Sequence, residues 1–214
     1  MEETLGGNGN ARGVVLVAAT TLEYRALCRA LPGMRVVKTG VGLAQLREDL
    51  GDCVVSCGLA GGLRGDLPTG TVLIPRQVRR PDGSTLTCDA ELVQMFAAAA
   101  LSLGIEPVFD PLVTTPAIVS GAERAQWARR GYAGVDMETG RILAPRVAAV
   151  RVVLDTPTQE LSPAWSNPLR ALLDPRNWPQ AAWLAREAPP AAQRSASVIA
   201  AAQGIRPSFR ITGQ

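Results

Sequence analysis

The chain has 214 residues, 47% of them apolar and 19% charged, with a net charge of +3. That balance fits one globular α/β domain and argues against a disordered chain, and the charge is too small to imply nucleic acid. Nearly all the basic side chains are arginine, Lys38 being the only lysine.

Residues 1–12 read as a flexible tail and 13–205 as a single domain. "VVLVAA" (14–19) has the apolar run of a buried strand. "TTLEYRALCRAL" (20–31) has a Thr-x-x-Glu start and apolar residues at helical spacing. "MRVVKTG" is a strand running into the turn "GVG" (40–42), and "LAQLREDL" is a short helix leading to the strand "CVVSCG". "GLAGGLRGDLPTG" (58–70) reads as a glycine-rich loop, "TVLIPRQVRR" as one strand, "PDGS" as a turn and "DAELVQMFAAAALSLG" as a helix. "VFDPLVTTPAIV" is strand and loop, "GAERAQWARRG" a helix, "AGVDME" the end of a strand, "TGRILAP" a short helix and "VAAVRVVLD" a strand. Residues 158–205 are helical, with prolines 175 and 179 breaking the tail into short pieces. Alternating strands and helices predict one α/β domain. No apolar run reaches the length of about 18 residues that a membrane helix needs, and "MEETLGGNGNARG" lacks a secretory pattern, so a cytoplasmic protein is expected.

The sequence contains no histidine. This excludes a Ser-His-Asp or Cys-His device and a His-ligated metal site. The cysteines (28, 53, 57, 88) form no close pairs; Cys53 and Cys57 would stand roughly 13 Å apart along a strand, and buried thiols are expected. The chemistry therefore falls to carboxylates, arginines, hydroxyls and backbone. "GLAGGLRG" is neither a dinucleotide fingerprint nor a P-loop; its glycines either form a tight turn or let a flat ligand approach the backbone. In "VDMETG", Glu138 at a strand end would suit the vicinal hydroxyls of a ribose, with Met137 as a soft apolar surface; the plainer alternative is acids offsetting a helix dipole. Asp155 ends a strand, at the edge of an α/β sheet where ligands bind, or else caps a loop.

Taken in order, "VVLVAATTLE", "GVG", "GLAGGLRGDLPTGTVLIP", "VDME" and "RVVLD" resemble the nucleoside phosphorylase and nucleosidase superfamily over roughly residues 13–157. "GLAGGL", "RRPDGSTLTCDAEL" and "LLDPRNWPQAAWLAREA" are most similar to its hopanoid-associated branch, whose substrate is understood to be adenosylhopane. The resemblance implies a three-layer α/β/α fold with a twisted mixed central sheet. It implies cleavage of the N-ribosyl bond of a purine nucleoside, by hydrolysis or phosphorolysis, with no cofactor or metal. Glu138 and Met137 match the pair that holds the ribose, Asp155 the general acid at the leaving base, and Glu23 the carboxylate that activates water. Leu59, Ala60 and Gly61 match the wall beside the base; Asp136, Gly42, Ala117 and Ile118 complete the implied binding set. A homodimer and, as a candidate second substrate, phosphate follow from the same resemblance.

Four departures stand out. Leu154 replaces the small hydroxyl residue that nucleosidases carry before the acid. The helices after Gly42 and after Glu138 are short. "VVSCG" lacks the arginine of purine phosphorylases, for which "GVG" and Arg25 or Arg64 would have to substitute. These features keep open a degenerate nucleoside-binding or interaction protein of the same fold. An RNA-binding module rests on "RRP" and scattered arginines alone, without aromatic stacking residues. In the tail, Trp178, Trp183 and neighbouring leucines and arginines suggest either helices packed on the domain or a peripheral contact with the inner membrane.

Overall fold

The structure, a computed structural model, describes residues 13–166 and 168–204; the expected tail (1–12) and residue 205 lie outside the described residues. Strand β1 (Val15–Ala18) is followed by helix α1 (Thr21–Ala30), β2 (Arg35–Lys38), β3 (Cys53–Gly62), β4 (Val72–Leu73), β5 (Gln77–Arg79), β6 (Thr85–Thr87), α2 (Ala90–Ser102), β7 (Leu112–Thr114), α3 (Gly121–Arg129), β8 (Gly134–Asp136), β9 (Arg146–Val153), α4 (Pro168–Leu173) and α5 (Trp178–Gln203). The strands form one mixed sheet in the order β2-β1-β3-β8-β7-β5-β6, with β9 pairing β3 and β4. The α/β fold with a mixed sheet is therefore as expected.

Helix starts follow the local chemistry. Thr20 and Glu23 form a reciprocal capping box on α1, and Asp89 caps α2 through the Leu92 N–H. Strand alternation then sorts the core onto two faces. Leu16, Ala18, Val55, Cys57, Val150 and Val152 pack with α1, α2 and α5 residues such as Leu27, Phe96 and Ile199. Val15, Val17, Val54 and Val147 point the other way and meet Leu50, Ile142 and the partly buried Leu43 and Leu46. That second face is covered over β1, β3 and β9 by irregular segments, and farther along, at Val113 and Val135, by Trp127 and Ala128 of α3.

Several local expectations are corrected. The first part of the supposed glycine loop is strand: β3 continues to Gly62 because β9 pairs with it from Cys53↔Arg146 to Ala60↔Val153, and β8 pairs with Gly61 and Gly62. Cross-strand pairing there overrides the weak strand preference of glycine. "TVLIPRQVRR" splits into β4 and β5 around Pro75. No helix forms over "LAQLREDL", which only follows the 3-10 turn Val41–Leu43, and "TGRILAP" holds only the 3-10 turn Thr139–Arg141. In the first, Gly42 and Leu43 both have positive φ, so the α ladder cannot start.

The tail differs as well. Pro179 sits in the first turn of α5, where its missing N–H costs little, and the helix then runs 26 residues through Pro189 and Pro190. Interior prolines disfavour a helix by about 3 kcal/mol each. Burial of Ala188, Ala191, Ala192, Ala196, Val198, Ile199 and Ala202 offsets that loss. Among the described residues no helix is long and apolar enough to cross a membrane.

Candidate active site

The carboxyl ends of β3, β8 and β9, with the segments that follow β1 and β7, surround one cavity of about 250 Å³. Ten of the eleven residues singled out from the sequence line it: Glu23, Leu59, Ala60, Gly61, Ala117, Ile118, Asp136, Met137, Glu138 and Asp155. Gly42 touches the site indirectly, its N–H donating to Glu138 Oε1 at 2.9 Å. Glu23, Glu138 and Asp155 are all buried around this one space.

Glu23 has two jobs at once. Its Oε2 accepts from the Thr20 N–H and hydroxyl, both at 2.7 Å, which closes the capping box. Its Oε1 accepts from the Leu59 N–H at 2.8 Å. This approach to β3 requires glycine next door: a Cβ at Gly58 would stand 2.0 Å from Glu23 Oε1, and φ there is +136°.

Glu138 belongs to a polar network on the face of the sheet that the long helices leave free. Arg151, in the middle of β9, is 1% exposed and lies 2.7 Å from Asp136 Oδ2 and 3.3 Å from Glu138 Oε2. It also donates to the hydroxyls of Ser56 (2.7 Å) and Thr139 (3.1 Å). Asp136 is saturated: Thr114 Oγ1 donates to Oδ1 at 2.6 Å, and the Thr139 N–H and hydroxyl donate to Oδ2. It lines the cavity but acts as the anchor of Arg151. The network holds two carboxylates against one guanidinium, and its electrostatics follow from that imbalance. Burial pushes Glu138 up to about 7; Arg151 pulls it down, and Asp136 and Glu23 repel its charged form. For Arg151, burial acts to lower the pKa, but Asp136, Glu138 and Glu23 more than offset this and leave it raised.

Asp155 is held differently. Its Oδ2 pairs with the guanidinium of Arg124, from α3, and accepts a long bond from the Leu161 N–H at 3.4 Å. Leu154, Val119, Leu161 and Trp165 form the apolar wall beside it. Trp165 is the aromatic ring among the lining residues, and among the described residues its buried indole N–H has no partner.

Arg124, Arg151, Ser56 and Trp165 were not singled out from the sequence. Arg151 left a signal, a charge inside the apolar run "VAAVRVVLD"; Ser56 left a weaker one in "CVVSCG". Arg124 left none, because "GAERAQWARR" reads as an ordinary charged helix. The two arginines considered for phosphate do not face the cavity. Arg25 is exposed, and Arg64 pairs with Asp66 and Asp110. Cys53, Cys57 and Cys88 are buried as expected, and burial pushes Cys57 and Cys88 up to about 12, far from a reactive thiolate. Cys28, by contrast, is exposed.

Solved structures share this architecture. Helicobacter pylori 5′-methylthioadenosine/S-adenosylhomocysteine nucleosidase, bound to butyl-thio-DADMe-Immucillin-A, matches with a TM-score of 0.68 at 13% identity, over 89% of this chain and 97% of that one. Helicobacter pylori futalosine hydrolase gives 0.67 at 13% identity, over 89% and 97%. The Neisseria meningitidis 5′-methylthioadenosine/S-adenosylhomocysteine nucleosidase, with methylthio-immucillin-A, gives 0.67 at 17% identity, again over 89% and 97%. At such identities the likeness shows the fold. No curated protein sequence matches the chain. The sequence profile of the phosphorylase superfamily matches residues 26–161, more than half of the chain and most of the cavity wall though not Glu23 or Trp165, and the chain belongs to that superfamily.

Proposed function

We propose that this protein cleaves the N-ribosyl bond of a purine nucleoside. The observation that carries the reading is the convergence of Glu23, Glu138 and Asp155 on one largely apolar cavity. Breaking the C1′–N9 bond sends its electron pair into the purine and leaves an oxocarbenium-like sugar. Asp155 delivers a proton to purine N7 as the bond breaks. Glu138 accepts from the 2′- and 3′-hydroxyls, with Met137 against the sugar; Leu59, Ala60, Gly61, Ala117 and Ile118 flank the base. Glu23 takes the proton of an attacking water. Neither Arg25 nor Arg64 lies on the cavity, which favours water over phosphate as the ribosyl acceptor. A cavity of this volume accommodates a purine riboside but not a polycyclic hydrocarbon beside it. A 5′ group as large as that of adenosylhopane would have to leave through the rim, where Val41 is 45% exposed.

The test is to incubate pure protein with adenosine and with 5′-methylthioadenosine, with and without phosphate, and to measure free base and the sugar product. Free ribose without phosphate supports hydrolysis, and ribose 1-phosphate supports phosphorolysis. Binding without base release would replace this reading with a non-catalytic nucleoside-binding protein, an alternative favoured by the tight engagement of Glu23 with the main-chain N–H groups of Thr20 and Leu59.

The value of about 7 at Glu138 gives a pH prediction. It is raised in the folded protein above the ordinary 4.5, so the folded chain holds a proton there that the unfolded chain has lost. The corresponding contribution to stability is present below about 4.5 and lost as pH rises through about 7. Binding runs the other way, because the ionised carboxylate is the better acceptor for a diol. Riboside affinity is expected to rise between pH 6 and pH 8 while affinity for free adenine stays flat. Glu138→Gln should weaken ribosides more than adenine and abolish that pH dependence. Equal changes for both ligands in calorimetry would remove the ribose assignment.

Two surface contacts complete the proposal. Leu143, 88% exposed, and Val41 leave apolar surface for a second copy, and light scattering at micromolar concentration is expected to give a dimer. A monomer would refute this. At the turn into α5, Leu172, Leu173 and Trp178 are exposed beside Arg170 and Arg176. Vesicles containing anionic lipid are expected to sediment the protein at low salt, and Trp178→Ala to reduce that binding. No sedimentation of the parent would end the membrane assignment.

A further inference from the structure

A guanidinium buried against the leaving-group acid is not a general requirement of glycosidic cleavage, yet here Arg124 is 1% exposed and committed to Asp155. Its fork grips more than the carboxylate. Nη2 meets Asp155 Oδ2 and donates to the Val119 carbonyl at 3.2 Å, while Nη1 donates to the Gly62 carbonyl and, at 3.4 Å, to the main-chain carbonyl of Asp155 itself. On its remaining side Nε lies 3.4 Å from Glu160 Oε1. Glu160 is in turn fixed by the Gly121 N–H at the start of α3, at 2.9 and 3.0 Å to its two oxygens. Among the described residues Asp155 Oδ1 has no hydrogen-bond donor. It lies beside Gly61 on the cavity wall, 3.1 Å from where a Cβ would stand.

We propose that Arg124 is a positioning residue for Asp155, gripping Oδ2 and the adjoining main chain so that Oδ1 alone is presented to the leaving base. The inference rests on the cleavage reading given above. An aspartate side chain has two free torsions, and holding one carboxylate oxygen together with the backbone carbonyl fixes both. In the reaction the C1′–N9 electron pair passes to the purine, and the proton on Oδ1 moves to N7. The oxygen of water bonds to C1′, and its released proton goes to Glu23. Displacement of a reacting group by about 1 Å costs on the order of 10²-fold in rate, so a clamp of this kind has a measurable effect on turnover. Arginine is suited to it because its planar fork holds a carboxylate and carbonyls in one fixed geometry, whereas a lysine ammonium offers three donors without that fork.

A double-mutant cycle on adenosine cleavage tests the assignment. Arg124→Met is expected to lower kcat about 10²-fold with KM within a few-fold of the parent, and Arg124→Lys to recover part of the loss. In the Asp155→Asn background, Arg124→Met should change kcat by less than about threefold, because the group it positions no longer donates a proton. Equal losses in both backgrounds, or a loss confined to KM, would overturn the proposal. If the Arg124→Met single variant does not fold, having left a buried carboxylate unpaired, the same cycle is run with Arg124→Lys in both backgrounds. A parent protein that releases no base overturns the cleavage reading and this assignment with it, whereas an active parent with an additive cycle overturns the Arg124 assignment alone.

Discussion

Asp155→Asn is expected to bind a purine nucleoside about as well as the parent and to release base about 10²–10⁴-fold more slowly. Asparagine keeps the shape of the side chain and an oxygen for Arg124, but its amide has no carboxylic proton to give to N7. The residual rate would come from ribose binding and from Glu23, neither of which the substitution touches. Arg124 is not stranded by the change, because Glu160 lies 3.4 Å from its Nε and three carbonyls receive its other N–H groups. The variant should therefore fold, and a thermal melt beside the kinetics separates lost chemistry from lost structure. Turnover within a few-fold of the parent would mean that Asp155 is not the proton donor.

The second large effect is on stability. Arg151→Met is expected to destabilise the protein by about 3–5 kcal/mol, the usual result of removing one partner from a buried ionic cluster. Met has the length to fill the space but leaves Asp136 and Glu138 facing one another without a cation, and takes the guanidinium donor away from the Ser56 and Thr139 hydroxyls. Riboside binding should weaken in parallel, since Arg151, with the Gly42 N–H, orients Glu138. Urea unfolding of the parent and the variant measures the first effect and calorimetry the second. A stability loss under about 1 kcal/mol would show that the cluster is relieved by protonation rather than held by Arg151.

Much of this was written locally in the chain. Thr20 and Glu23 specify the start of α1 because a capping box is made within four residues, and Asp89 specifies α2 by capping the Leu92 N–H. Glu138 and Asp155 were placed at strand ends because an apolar run that stops on an acid must bring that acid to the edge of a sheet, where α/β folds bind ligands. The tertiary structure alone decided how those acids are held. Arg151 meets Ser56 and Asp136 only through the pairing of β9 with β3 and of β3 with β8, and a strand pattern records which face a residue takes but not its neighbour across the sheet. Arg124 reaches Asp155 from a helix 31 positions away, with nothing in its own surroundings to mark it. The same distinction explains the errors of local reading. β3 runs through glycines that prefer a loop because two partner strands receive it, and α5 runs through two prolines because its alanine face is buried, while "LAQLREDL" loses its helix to the positive φ of Gly42 and Leu43. Propensity acts within a few residues, and here non-local pairing and burial outweighed it.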